Sequence, residues 1–159
     1  MTAPRPANHA DAAAALSGWI EAGVHILWQR VYYEDTDAEG IVYYANYLRF
    51  AERARSEMLR CLGIGQAALR ERAGVGFVVK DCQIAYRRPA GLDDLLELRT
   101  WLAARTRVQL TMVQAVRNAA DGAAVADMRV NVVCVDMASG RPARLPATVA
   151  EALAVVDTG

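Results

Sequence analysis

Residues 35–62 read DTDAEGIVYYANYLRFAERARSEMLRCL, two aspartates in a glycine-containing turn that runs at once into the longest helical pattern of the chain. The apolar positions Tyr44, Tyr47, Leu48, Ala51, Ala54, Met58, Leu59 and Leu62 recur every three or four residues, so they share one stripe of a helix. Arg49, Glu52, Arg53, Ser56, Glu57 and Arg60 occupy the opposite face. A helix with one buried stripe, one solvated face and an amino end aimed at acids is expected over 44–62.

Working outward, 159 residues imply one domain, large enough to bury about two-thirds of its unfolded surface. We expect a flexible N-terminal extension over 1–22 and a single domain over 23–159. The 18 basic and 18 acidic residues cancel, which removes the field that non-specific nucleic-acid binding needs. Cys61, Cys82 and Cys134 are odd in number and set in apolar patterns, so they read as reduced core thiols, not as a disulfide framework or a zinc site. No run approaches the ~18 apolar residues of a membrane span. The alanine-rich tract 10–20 is interrupted by Asp11 and followed by Glu21, which argues against a cleaved signal and for a cytoplasmic protein.

In chain order, the aromatic and branched residues of 25–34 form a first strand, and Gly63 stands where a helix C-cap glycine belongs. A second short helix fits 64–73. From Phe77 the period changes to two, giving strands over 77–88, 94–104, 108–118 and 123–137 separated by turn residues. After Pro146 there is room for one or two helical turns. Short connections imply antiparallel neighbours, hence a four-strand meander. The fold class is α+β, an antiparallel sheet covered by one long helix. Its exposed apolar edges favour pairing with a second copy, as a homodimer or homotetramer.

The acidic turn admits three chemistries. D-x-D-x-E-G opens like a calcium loop, but the twelfth position, which needs a bidentate acid, is Asn46. D-x-D after a strand also marks aspartyl-phosphate enzymes, yet those use a strongly apolar parallel strand, and Val31-Tyr32-Tyr33-Glu34 is amphipathic. The third is acyl transfer by a carboxylate at a helix amino end, whose unpaired N–H groups and partial positive charge hold a developing oxyanion. Thioesters suit so sparse a site, because a thiolate leaves with little help from an acid.

RVYYEDTDAEGIVYYANYLRFAERARSEMLR, residues 30–60, resembles the signature of the 4-hydroxybenzoyl-CoA thioesterase family of hotdog-fold enzymes, and within it the Tol-Pal-associated branch. The likeness extends over roughly residues 25–150. It implies a hotdog fold, a five-stranded antiparallel sheet wrapped around the long helix and paired into dimers or tetramers. It places the catalytic carboxylate on Asp37 and the backbone oxyanion donor on Tyr44, with Gly40 allowing the tight turn between them. In the Tol-Pal branch the Tyr44 position is often histidine. Tyrosine keeps the main-chain contact and removes a side-chain acid or base.

Asp35 is expected to cap the turn through its side chain. Gly40, Tyr47, Arg105 and Arg107 form the expected substrate-binding set, the two arginines flanking a hairpin turn and suited to coenzyme A phosphates. No metal and no separate cofactor are expected, since coenzyme A belongs to the substrate. The expected activity is hydrolysis of acyl-CoA or acyl-pantetheine thioesters, with Asp37 as nucleophile or general base. The alternative is a non-catalytic hotdog protein that binds an acyl group or serves in assembly.

Overall fold

A computed structural model of the chain describes residues 6–158; residues 1–5 of the expected extension, and the last residue, lie outside the described residues. Helix α1 (His9–Leu16) is capped by Asn8, whose side chain accepts the Asp11 N–H at 3.0 Å. Strands β1 (Trp19–Glu21) and β2 (Val24–Arg30) follow as a hairpin whose two turn residues, Ala22 and Gly23, have φ of 48° and 78°. Positive φ at both positions matches the right-handed twist of the strands. The sheet therefore begins at Trp19, inside the stretch assigned to the extension, and the expected strand 25–34 ends at Arg30 in a 3-10 turn over Tyr33–Asp35.

Helix α2 (Asn46–Cys61) is two residues shorter at its start than the pattern predicted, because Tyr44 and Ala45 form a turn. Tyr47, Phe50, Ala51, Ala54, Met58 and Leu59 are its buried apolar residues. Two stripe assignments are corrected: Tyr44 precedes the first helical turn, and Leu48 lies at the stripe's margin, so both are exposed. Phe50, absent from the predicted stripe, is 1% exposed. Helix α3 (Gln66–Ala73) ends at Gly74 in the left-handed region, as a C-cap glycine does.

Strands β3 (Val75–Tyr86), β4 (Leu95–Arg105), β5 (Gln109–Asn118) and β6 (Ala124–Asp136) lie near their predicted positions, and helix α4 (Ala147–Leu153) follows Pro146. The sheet has six strands instead of five, in the order β1-β2-β4-β5-β6-β3, all antiparallel. β4, β5 and β6 form a meander. β3 does not join it beside β4 but pairs with β6 at the far edge. The eight-residue connection 87–94 explains the departure. It reaches about 25 Å when extended, more than the roughly 14 Å between β3 and β4 across two intervening strands.

The inner face of the curled sheet packs on α2 in two clusters. One gathers Val31, Tyr47, Phe50, Leu96, Leu98 and Val116 near the start of α2. The other gathers Met58, Leu102, Leu110, Cys134, Val149 and Leu153 near its end, closed by α4. Burying such side chains stabilises each by about 1.5–3 kcal/mol, and the result holds the start of α2 against the 35–42 turn.

Candidate active site

The two aspartates of the turn have separate surroundings. Asp35 is 5% exposed; its Oδ2 accepts the Tyr32 N–H at 2.8 Å, and its carbonyl accepts the Tyr43 N–H at 2.8 Å and the Asn46 side-chain amide at 3.0 Å. It joins the end of the first strand to the entrance of α2, the capping part expected of it. Asp37 is half-buried on a small hairpin closed by the Thr36–Val42 bridge and by its own N–H donating to the Ile41 carbonyl at 2.9 Å. Its Oδ1 accepts the Glu39 N–H at 3.0 Å, while Oδ2 accepts no hydrogen bond among the described residues. Gly40 has φ of +76°, in the region that costs other L-residues roughly 1–2 kcal/mol.

At the helix entrance, the Asn46 N–H donates to the Tyr43 carbonyl at 2.8 Å, which fixes the peptide plane carrying the Tyr44 N–H. That N–H donates to no acceptor among the described residues. The next peptide is held by the Tyr86 hydroxyl, which donates to the Tyr44 carbonyl at 3.0 Å. Ring centroids of Tyr43 and Tyr44 are 4.8 Å apart, and those of Tyr44 and Tyr86 are 6.2 Å apart. The Tyr44 hydroxyl beside it and, more weakly, the Asp37 carboxylate push the Tyr43 hydroxyl above its ordinary pKa. The turn thus carries a carboxylate with an uncommitted oxygen and, at the helix entrance, a backbone donor uncommitted among the described residues.

A cleft of about 230 Å³ opens beside this entrance, lined by Ile41, Tyr44, Tyr47, Tyr86, Arg87 and Arg88. Tyr47 is 3% exposed and packs edge-on to Phe50, so it forms the cleft's floor; burial pushes its hydroxyl up. The structure brings Asp37, Gly40, Tyr44 and Tyr47 to one end of the molecule. It does not bring Arg105 and Arg107 there. They stand at the other end of β4, about 33 Å along the strand from Leu95, around a second cleft with Thr106 and Arg144. Arg105 is moreover committed to Asp157 at 3.1 Å and to the Ala150 carbonyl.

Tyr86, Arg55 and Gln114 were missed by sequence reasoning. Tyr86 closes an alternating strand whose pattern does not reveal its facing element. Gln114, a polar residue inside the apolar run of β5, was a signal: it is fully buried, and its amide donates to the Ala51 carbonyl at 2.9 Å and to Thr100 Oγ1 at 3.0 Å. Among the described residues no group of His, Cys, Asp and Glu is arranged to hold a metal ion. No helix among them is long and apolar enough to cross a membrane.

A long helix wrapped by an antiparallel sheet, with a carboxylate turn at the helix entrance, defines a hotdog-fold protein of the thioester-hydrolase class. Residues 31–153 match the thioesterase-like superfamily, and the chain belongs to it. It is 43% identical over 120 residues to the acyl-CoA thioester hydrolase YbgC of Escherichia coli O6:H1, covering 76% of this chain and 88% of that protein. The acyl-CoA thioesterase YbgC of Haemophilus influenzae is 42% identical over 117 residues, covering 74% and 85%. Among solved structures, a probable thioesterase from Bartonella henselae superposes with a TM-score of 0.72 at 34% identity, covering 77% of this chain and 99% of that one.

Proposed function

We propose that the chain hydrolyses acyl-CoA thioesters at the 35–44 turn. The observation that carries this reading is that the 35–44 turn holds both an Asp37 oxygen and a Tyr44 N–H without a partner among the described residues. The Tyr44 N–H, reinforced by the positive end of the helix, polarises the thioester carbonyl and holds the negative charge that develops on its oxygen. Asp37 acts by one of two routes. As nucleophile, its carboxylate forms a C–O bond to the acyl carbon while the C–S bond breaks and coenzyme A leaves as thiolate; water then hydrolyses the mixed anhydride. As general base, it takes a proton from the water that attacks the same carbon. Both routes end in a carboxylic acid and free coenzyme A, and neither needs a metal.

Support also comes from the relatives described as acyl-CoA thioesterases over most of their length. The distant placement of Arg105 and Arg107 from Asp37 in one chain fits a site completed by a second subunit, whose own far end would supply them. The test is thiol release from short, long and aromatic acyl-CoAs. Asp37→Asn should lower turnover by at least about a hundredfold with fold and assembly retained. Undiminished release in that variant defeats the mechanism, and binding without turnover on every acyl-CoA favours the non-catalytic acyl-binding reading instead.

A further inference from the structure

Helix α2 and strand β3 run in opposite directions with a groove between them. At one end the Tyr86 hydroxyl meets the Tyr44 carbonyl. Beyond it lies a wider cleft of about 570 Å³ whose walls include Leu48, Glu52, Arg55, Val79, Cys82 and Val130. It continues into a smaller cavity that shares Glu52, Arg55 and Val79 and adds Leu59, Phe77 and Met112. Arg49, Glu52, Arg53 and Arg55 make up half of the wider cleft's lining, and Leu48, Val79 and Val130, with Leu59, Phe77 and Met112 beyond, supply its apolar part. Three arginines stand on this wall, of which Arg49 and Arg53 are exposed.

Arg55 is half-buried, and its Nη1 donates to Gln114 Oε1 at 2.8 Å. Gln114 is itself held by Ala51 and Thr100, so the guanidinium is fixed in place from behind. Of five N–H donors, the other four are uncommitted, and no carboxylate lies within ion-pair distance of Arg55 among the described residues. The Glu52 carboxylate acts on it electrostatically, and that carboxylate is engaged by the Ser56 hydroxyl at 2.7 Å. Arg49 and Arg53 add two further positive charges to the cleft wall. Burial already disfavours the charged guanidinium more than Glu52 favours it. Arginine does not escape by losing its proton, so an occupant that excludes water must supply an acceptor or leave the charge stranded.

We propose that the α2–β3 groove takes the acyl chain of the substrate and that Arg55 selects chains carrying a carboxylate at their far end. This rests on the thioesterase reading above. Arg55 lies eleven positions after Tyr44, and the helical part from Asn46 to Arg55 rises about 14 Å along the axis, which a chain of about ten to twelve carbons spans. The ω-carboxylate receives the two parallel hydrogen bonds that a guanidinium offers, and the methylenes lie on Leu48, Val79 and Val130.

The experiment compares kcat/KM for ω-carboxydecanoyl-CoA and the alkyl acyl-CoA of equal length, with propionyl-CoA as a chain too short to reach Arg55. Wild type should prefer the carboxylated chain by about tenfold or more, expressed mainly in KM. Arg55→Met should abolish or invert that preference, and Arg55→Lys should keep part of it. Circular dichroism checks that the variants fold, and the wild-type comparison stands without them. Equal use of the two long chains by wild type, a preference for the alkyl chain, or an unchanged ratio in Arg55→Met overturns the proposal while propionyl-CoA turnover leaves the thioesterase reading intact. Loss of turnover on all three substrates in wild type overturns that reading and this proposal with it.

Discussion

Two aspartates two positions apart have identical chemistry as free residues and diverge through their hydrogen bonds. Asp35 gives both its side chain and its carbonyl to neighbouring backbone and side-chain donors, whereas Asp37 keeps one oxygen uncommitted. The same distinction applies to Tyr44, where the proposed contact is the backbone N–H and not the ring. Tyr44→Phe should therefore retain most of the turnover. Tyr44→Pro, which deletes the N–H, should reduce kcat by about 10²–10³-fold. Steady-state thiol release measures both, and equal rates in the two variants would remove the oxyanion role from this position.

Among the elements, the segment before β2 is fastened to α2 through one buried histidine. His25 is fully buried, and its Nε2 donates to the Ser17 carbonyl at 2.7 Å, since a carbonyl only accepts. Ser17 in turn donates to Glu57 on α2 at 2.8 Å. Gly18 is required beside it, because a Cβ there would lie 2.1 Å from the Ile26 carbonyl oxygen at φ of +72°. His25 Nδ1 has no partner among the described residues, so protonation would bury an unsatisfied donor; burial lowers its pKa against the smaller opposing effects of Ser17 and Glu57. A depressed histidine pKa means the folded state binds fewer protons than the unfolded one. Stability should then rise with pH and be lost as pH falls below about 6.5, the unfolded value. Thermal midpoints from pH 5 to 8 for wild type and His25→Gln test this. The wild-type slope below pH 6.5 should flatten in the variant, and an equal slope in both would assign it to other groups.

On the scale of the molecule, β3 is a twelve-residue edge strand with Val78, outside the α2–β3 groove lining, 45% exposed. Such an edge presents unpaired backbone groups and apolar side chains to a second copy. Sedimentation should show wild type as a dimer or larger, with Val78→Asp shifted toward monomer at the same concentration. A monomeric wild type would contradict this arrangement. The helix and the four later strands were legible because their apolar residues keep periods of 3.6 and 2 over ten residues or more. The short β1 was not, since three residues carry no period and its order comes from pairing with β2.

Period and turn chemistry by themselves determined an α+β chain with one amphipathic helix, an antiparallel sheet and an acidic turn at the helix entrance. They distinguished the two aspartates only with the help of a family resemblance. Tertiary structure decided that β3 crosses to the far edge, that Gln114 lies beneath Arg55, and that Arg105 and Arg107 stand remote from Asp37. The reason is physical: local pattern records which face of an element is apolar, whereas strand order and the pairing of distant polar groups depend on how a curled sheet closes over its helix.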